Sequence, residues 1–116
     1  MNSKMNLKIG ARTYSIEKWP GTQIESFTGR DSNEICGFTD YYQSKIIING
    51  DVSKDVREET LMHEIMHTLL DNSGIEEIGK QLKEDPHVAE LVATVTAPRL
   101  HAMLKDNDIQ SILNSI

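Results

Sequence analysis

The chain has 116 residues, 38% hydrophobic and 26% charged, with a formal net charge of −6, a composition that predicts one folded domain and excludes a disordered chain. The acidic balance argues against a nucleic-acid partner, since such proteins gather Lys and Arg on one face and this sequence has no basic cluster. No apolar run approaches the roughly 18 residues of a membrane helix, and the N-terminus lacks the apolar core of a signal peptide. The single Cys36 suits a reducing compartment. We therefore expect a cytoplasmic protein.

The first half of the chain, residues 1–52, is predicted to be mainly β. Alternating residues surround a turn at Gly10, and Pro20 ends the second strand. Residues 22–34 are polar and interrupted, which is typical of a loop. The predicted strands cover residues 5–9, 12–18, 35–41 and 45–49. Turn residues join the last two strands, so we expect a small antiparallel sheet of three to four strands.

The second half, residues 53–116, is predicted to be mainly α. Ser53 fits the N-cap of a long helix over residues 54–72, with Gly74 just beyond its end. The apolar face of this helix should pack on the sheet. A weaker helix follows over residues 75–84. The sequence therefore predicts one α+β domain over residues 1–116. Its sheet should pack on the long helix and on the helical part that follows.

Two further helices are predicted towards the C-terminus. Asp85 followed by Pro86 is a helix start signal, and Pro98 should kink or end the helix that they begin. Beyond residue 108 the apolar residues recur at helical spacing, which predicts a short terminal helix with one apolar face. That face consists of Ile109, Ile112, Leu113 and Ile116. It could pack internally or on a second chain, so the sequence leaves the oligomeric state open.

The long helix contains His63-Glu64-Ile65-Met66-His67, which has the form H-E-x-x-H. Residues four apart on a helix differ by about 40° in direction, so both imidazoles can reach one Zn²⁺ ion. Glu64 is rotated by about 100° and lies beside the metal, where it can act as general base on zinc-bound water. The histidines flank the apolar face, which predicts a half-buried site. The alternative is a helix whose two histidines match the motif by chance.

A catalytic zinc needs a third protein ligand, and four residues are candidates. Asp71 lies too far along the helix and better suits a partner that orients an imidazole. Glu90 is preferred, because a glutamate within a stripe of alanines and leucines needs a partner such as a metal. His87 lies one turn before Glu90 and competes with it. His101 lies about 16 Å further on and should not share the metal.

Cys36 and the hairpin tyrosines bear on whether the site is catalytic. A free cysteine is by default a small buried hydrophobe, but Cys36 as a fourth zinc ligand would close the site and leave it latent. Tyr41 or Tyr42 could stabilise an oxyanion, although an aromatic residue in a hairpin more often packs.

These residues resemble the small ImmA/IrrE-type zinc metallopeptidases of phages and prophages, which have a gluzincin-like HExxH and a later glutamate. The resemblance covers residues 35–107 and is carried by "CGFTDYYQSKIII", "ETLMHEIMHTLL", "HVAELVATV" and "LKDND". It implies a metalloprotease in the cytoplasm of a bacterial host cell. It also implies His63, His67 and Glu90 as zinc ligands and Glu64 as general base.

The leading hypothesis is therefore a zinc-dependent endopeptidase that hydrolyses a peptide bond in a protein substrate. The substrate would lie extended along an exposed strand edge, residues 35–41 or 45–49, by β-addition. The alternative is a non-catalytic zinc-containing binding protein, such as a phage-type inhibitor or antirepressor. A helix-rich module with no metal is the third hypothesis. Neither a nucleic acid nor a membrane is expected as a partner.

Overall fold

The structure is a computed structural model that describes residues 4–71 and 88–116, with only the backbone described for residues 4, 71, 88–93 and 95. In chain order the elements are β1 (Lys4–Ile9), β2 (Arg12–Trp19), α1 (Gly21–Thr28), a 3₁₀ turn (Ser32–Glu34), β3 (Gly37–Asp40), β4 (Lys45–Asn49), α2 (Lys54–Asp71), α3 (Val88–Asp106) and α4 (Ile109–Ser115). This combination of one sheet with packed helices confirms the predicted α+β fold class. Within the described ranges, no helix is long and apolar enough to cross a membrane.

The four described strands form one sheet in the order β1-β2-β4-β3. The hairpins β1–β2 and β3–β4 are antiparallel, but β2 and β4 pair in parallel. The prediction of an entirely antiparallel sheet is therefore wrong for this pair. β3 runs antiparallel to β2, and the hairpin turn reverses the chain again. β4 therefore runs parallel to β2, beside which it lies. The run Ile46-Ile47-Ile48 is the signal for this central position, since a strand covered on both faces has no polar alternation.

Helix α1 lies in the segment that was predicted to be a loop. Pro20 precedes its first residue, and Gly29 ends it in the left-handed conformation, with a φ of 71° and its N–H donated to the Glu25 carbonyl. Ile24 from this helix is fully buried against Trp19 and Ile47, on the sheet face that α2 does not cover. Ile24 and Phe27 are the two apolar residues of this helix, and a single pair three residues apart is too short a pattern to predict it.

The main core lies between the other face of the sheet and the helices α2, α3 and α4. It contains Leu7, Ile9, Tyr14, Ile16, Ile46, Ile48, Leu61, Ile65, Leu69, Met103, Ile112 and Ile116. Ile112 and Ile116 of α4 are buried in this core, and Ile109 and Leu113 pack against it. The apolar face of the C-terminal helix therefore packs on its own chain.

The start of α2 at Lys54 and the position of α4 after residue 108 agree with the prediction. The Ser53 hydroxyl accepts a hydrogen bond from the Val56 N–H at 3.4 Å, which confirms the predicted N-cap of α2. Helix α3 continues through Pro98 to Asp106, so it does not end at the proline. The predicted C-cap at residue 74, the helix over 75–84 and the start signal at 85–86 lie outside the described residues.

Candidate metal centre

The two histidines of the HExxH motif lie one turn apart on the exposed side of α2. Their Nε2 atoms are 3.0 Å apart and their ring centroids 4.6 Å apart. One ligand atom from each of His63, Glu64 and His67 lies within 4.8 Å of the others. Two nitrogens that bind one tetrahedral zinc at 2.0–2.1 Å stand about 3.3 Å apart, so small rotations of the rings suffice for shared coordination. The histidine pair therefore fits the metal that the motif implies.

The burial of the motif differs from the predicted half-buried histidines. His63 and His67 are exposed, whereas Glu64 is 8% exposed. Helix α2 is rotated so that Leu61, Ile65 and Thr68 are buried. Glu64 lies three residues after Leu61 and four before Thr68, so it shares their side of the helix. A buried carboxylate needs a hydrogen-bond partner, and it has one in β3.

The partner of the buried carboxylate is Thr39. The Thr39 hydroxyl donates a hydrogen bond to Glu64 Oε1 at 3.0 Å. Thr39 lies in the middle of β3 and pairs with Ile46 of β4. The sequence placed this threonine in a strand, but nothing in its local pattern linked it to a glutamate 25 residues later. Only the packing of α2 on β3 brings the two side chains together.

A groove of about 490 Å³ extends from the motif along the contact between α2 and the start of β3. Its lining includes Cys36, Gly37, His63 and Glu64. Cys36 is exposed here, which contradicts the expectation of a small buried hydrophobe. Among the described side chains, the group close enough to share a metal does not include Cys36.

Four residues outside the motif were candidates for the third zinc ligand: Asp71, His87, Glu90 and His101. Glu90 lies in helix α3, but its side chain is outside the described part of the structure, as is that of Asp71. His87 also lies outside the described residues. His101 is exposed on α3, and in the described part of the chain it does not belong to the metal-binding group, as expected.

The hairpin tyrosines lie in the turn between β3 and β4. The Tyr42 side chain is fully exposed, and its backbone N–H donates to Asp40 Oδ1 at 3.0 Å. This turn contact holds the backbone of Tyr42. Within the described residues no hydrogen bond joins the Tyr42 hydroxyl to the motif, and the role of Tyr42 as an oxyanion donor stays a prediction.

One of the two strands considered for substrate binding is excluded. β4 lies between β2 and β3, so residues 45–49 do not form an edge. Among the described strands, β3 lies at the edge of the sheet beside α2. The Asn49 N–H donates to the Cys36 carbonyl at 2.8 Å, and antiparallel hydrogen bonds alternate along a strand, so the backbone groups of Gly37 and Thr39 face the open edge.

Comparisons of the chain with protein families, with curated proteins and with solved structures gave no match.

Proposed function

We propose that this protein is a zinc-dependent endopeptidase that hydrolyses a peptide bond in a protein substrate. The observation that carries the proposal is the pair of Nε2 atoms, 3.0 Å apart, with the Glu64 carboxylate in the same small group. His63 and His67 would hold the zinc. Bound there, the zinc would supply Lewis acidity, which polarises a carbonyl and makes water more acidic.

Glu64 has the properties that a general base in this reaction needs. Its carboxylate is buried, and the Thr39 hydroxyl fixes one of its oxygens, so the other oxygen can take a proton from water. Glu64 then passes this proton to the leaving amine. The hydrogen bond holds the carboxylate before the reaction begins, so little reorganisation is needed during the proton transfer.

The edge of β3 offers a place for an extended substrate. Backbone N–H and C=O groups at an open edge can pair with a peptide added as a further strand. The outward groups belong to Gly37 and Thr39, and the Thr39 side chain contacts the proposed base. A peptide paired along this edge would therefore lie beside the groove that contains His63 and Glu64.

We propose Glu90 as the third zinc ligand, and the ImmA/IrrE-type metallopeptidases as the family that this chain resembles. Both proposals are supported by the sequence, which has a glutamate in an otherwise apolar stripe of a later helix. A cytoplasmic location in a bacterial host, with a phage or prophage origin, belongs to the same proposal. Its support is the single cysteine and the quoted sequence motifs.

The substitution Glu64→Gln tests the proposed mechanism. Glutamine keeps the shape of the side chain and accepts the Thr39 hydrogen bond, but it cannot take the proton. We expect the variant to retain its zinc and its melting temperature while cleavage of a fluorescence-quenched peptide pool falls by at least about 100-fold. Glu58→Gln, which removes a carboxylate on the same helix outside the groove, is the matched control. Wild-type cleavage by Glu64→Gln would refute Glu64 as the base.

A further inference from the structure

β3 and α2 approach each other unusually closely at Gly37. A Cβ atom on Gly37 would lie 2.7 Å from Thr60 Cγ2 and 2.7 Å from the Ile47 carbonyl oxygen, distances that side chains essentially never adopt. Thr60 is itself fixed, since its hydroxyl donates to the Val56 carbonyl at 2.7 Å. The absence of a side chain at residue 37 therefore sets how near the helix lies to the strand.

The same approach is repeated one step further along both elements. Two residues of a strand span about 6.7 Å and four residues of a helix about 6 Å, so the step from Gly37 to Thr39 matches the step from Thr60 to Glu64. Residues two apart on a strand share a face, as do residues four apart on a helix. The contact between Gly37 and Thr60 thus brings the Thr39 hydroxyl to within 3.0 Å of Glu64 Oε1.

On this geometry, and resting on the proposed peptidase function, we propose that Thr39 is a positioning residue for the Glu64 base. Its hydroxyl donates to Oε1 and so assigns the incoming proton to Oε2. The proton moves from water to Oε2 and then to the leaving amine. A protonated carboxyl group still accepts through its carbonyl oxygen, so the bond to Thr39 persists throughout. The β-branch of threonine restricts χ1, which keeps the hydroxyl directed at the carboxylate.

Thr39→Val and Thr39→Ser separate the hydroxyl from the rest of the side chain. Valine keeps the shape and removes the donor, whereas serine keeps the donor and removes one methyl group. Steady-state kinetics would use a fluorescence-quenched peptide, chosen from a pool because the wild type cleaves it. Competition with a chromophoric chelator would give the zinc dissociation constant. Thr13→Val, at an exposed position of β2, controls for loss of a strand hydroxyl.

A third readout is independent of activity. Urea unfolding of Thr39→Val, Glu64→Ala and the double variant reports whether the two side chains interact. If the hydrogen bond exists, the double variant loses less stability than the two single variants together. This coupling tests the contact whether or not the protein cleaves peptides.

We expect Thr39→Val to lower kcat by about 10- to 100-fold, because a misplacement of a reacting group by about 1 Å can cost about 100-fold in rate. KM and the zinc dissociation constant should stay unchanged, and Thr39→Ser should restore most of kcat. Thr39→Val with wild-type kcat would overturn the positioning role while leaving the peptidase intact. Parallel losses of stability, zinc affinity and activity in Thr39→Val and Thr39→Ser would also overturn the positioning role, because Thr39 would then be a packing residue.

The urea experiment separates the two proposals. If the wild type cleaves no peptide but the stabilities of Thr39→Val and Glu64→Ala are coupled, the peptidase proposal has failed and the hydrogen bond is structural.

Discussion

Gly37→Ala tests the close approach of β3 and α2 on which the arrangement of the site depends. The added methyl group would lie 2.7 Å from both Thr60 Cγ2 and the Ile47 carbonyl oxygen, well below the 3.4 Å at which ordinary contact begins. The carbonyl belongs to the central strand β4, which cannot move without disturbing the sheet. β3 must therefore shift, and overpacking of this kind costs about 1–3 kcal/mol.

For a domain of this size, that cost corresponds to a fall in Tm of about 4–12 °C, measurable by thermal unfolding followed by circular dichroism. Gly37→Ala should also weaken the hydrogen bond between Thr39 and Glu64, so peptide cleavage should fall. Zinc affinity should change little, since the two histidines lie on the exposed side of α2.

Thr60→Ser provides the matched partner for this experiment. Serine removes the crowded methyl group and keeps the hydroxyl that bonds the Val56 carbonyl. Added to Gly37→Ala, it should recover part of the lost Tm but not all of it, because the contact with the Ile47 carbonyl remains. A Gly37→Ala protein with the wild-type Tm would refute the close approach.

Variants at the end of α3, at the cap of α4 and at the histidine pair test three further features of the molecule. Asn107→Ala removes three hydrogen bonds of 2.7–2.8 Å that join the end of α3 to β1 and to its own last turn. The free energy of unfolding in urea should fall by about 1–2 kcal/mol, and an unchanged unfolding midpoint would contradict the role of these bonds. Hydrogen bonds from the Ser111 hydroxyl and N–H lower the pKa of Asp108 below its usual 3.8. The cap therefore stabilises the fold above that pH, and this stabilisation is lost as the pH falls through the folded-state pKa. The difference in unfolding free energy between wild type and Asp108→Ala should be full at pH 6 and should narrow in acid, whereas a pH-independent difference would contradict the capping role. His67→Ala should abolish the rise in Tm on adding zinc, whereas His101→Ala should keep it, and an equal loss in both variants would point to non-specific binding.

The sequence predicted the strands and the long helix well, because their signals are local. Alternation around Gly10 and the cap at Ser53 depend on neighbours in the chain, and both agree with the structure. The parallel pairing of β2 and β4 was missed, because local patterns do not say which strand of a hairpin is internal. The uninterrupted isoleucines of β4 contained that information, since a half-exposed strand would alternate.

The candidate site shows the same division between local and long-range information. The spacing of His63 and His67 correctly predicted that their imidazoles meet, because helical geometry alone determines it. The exposure of the histidines and the burial of Glu64 were not predicted. They depend on how α2 is rotated about its own axis, which is set by packing on the sheet. The contact with Thr39 depends on that same rotation and on the lack of a side chain at Gly37.

We propose that His63 and His67 hold a zinc ion in an open, catalytic site. Crystals grown with zinc and measured at the zinc absorption edge test this claim directly. We predict one strong anomalous peak about 2.0–2.1 Å from both Nε2 atoms, with the Glu90 carboxylate as third ligand and a water as fourth. A peak with four protein ligands, Cys36 among them, would contradict the enzyme and favour a non-catalytic zinc protein. The absence of a peak at these histidines would contradict the metal site itself.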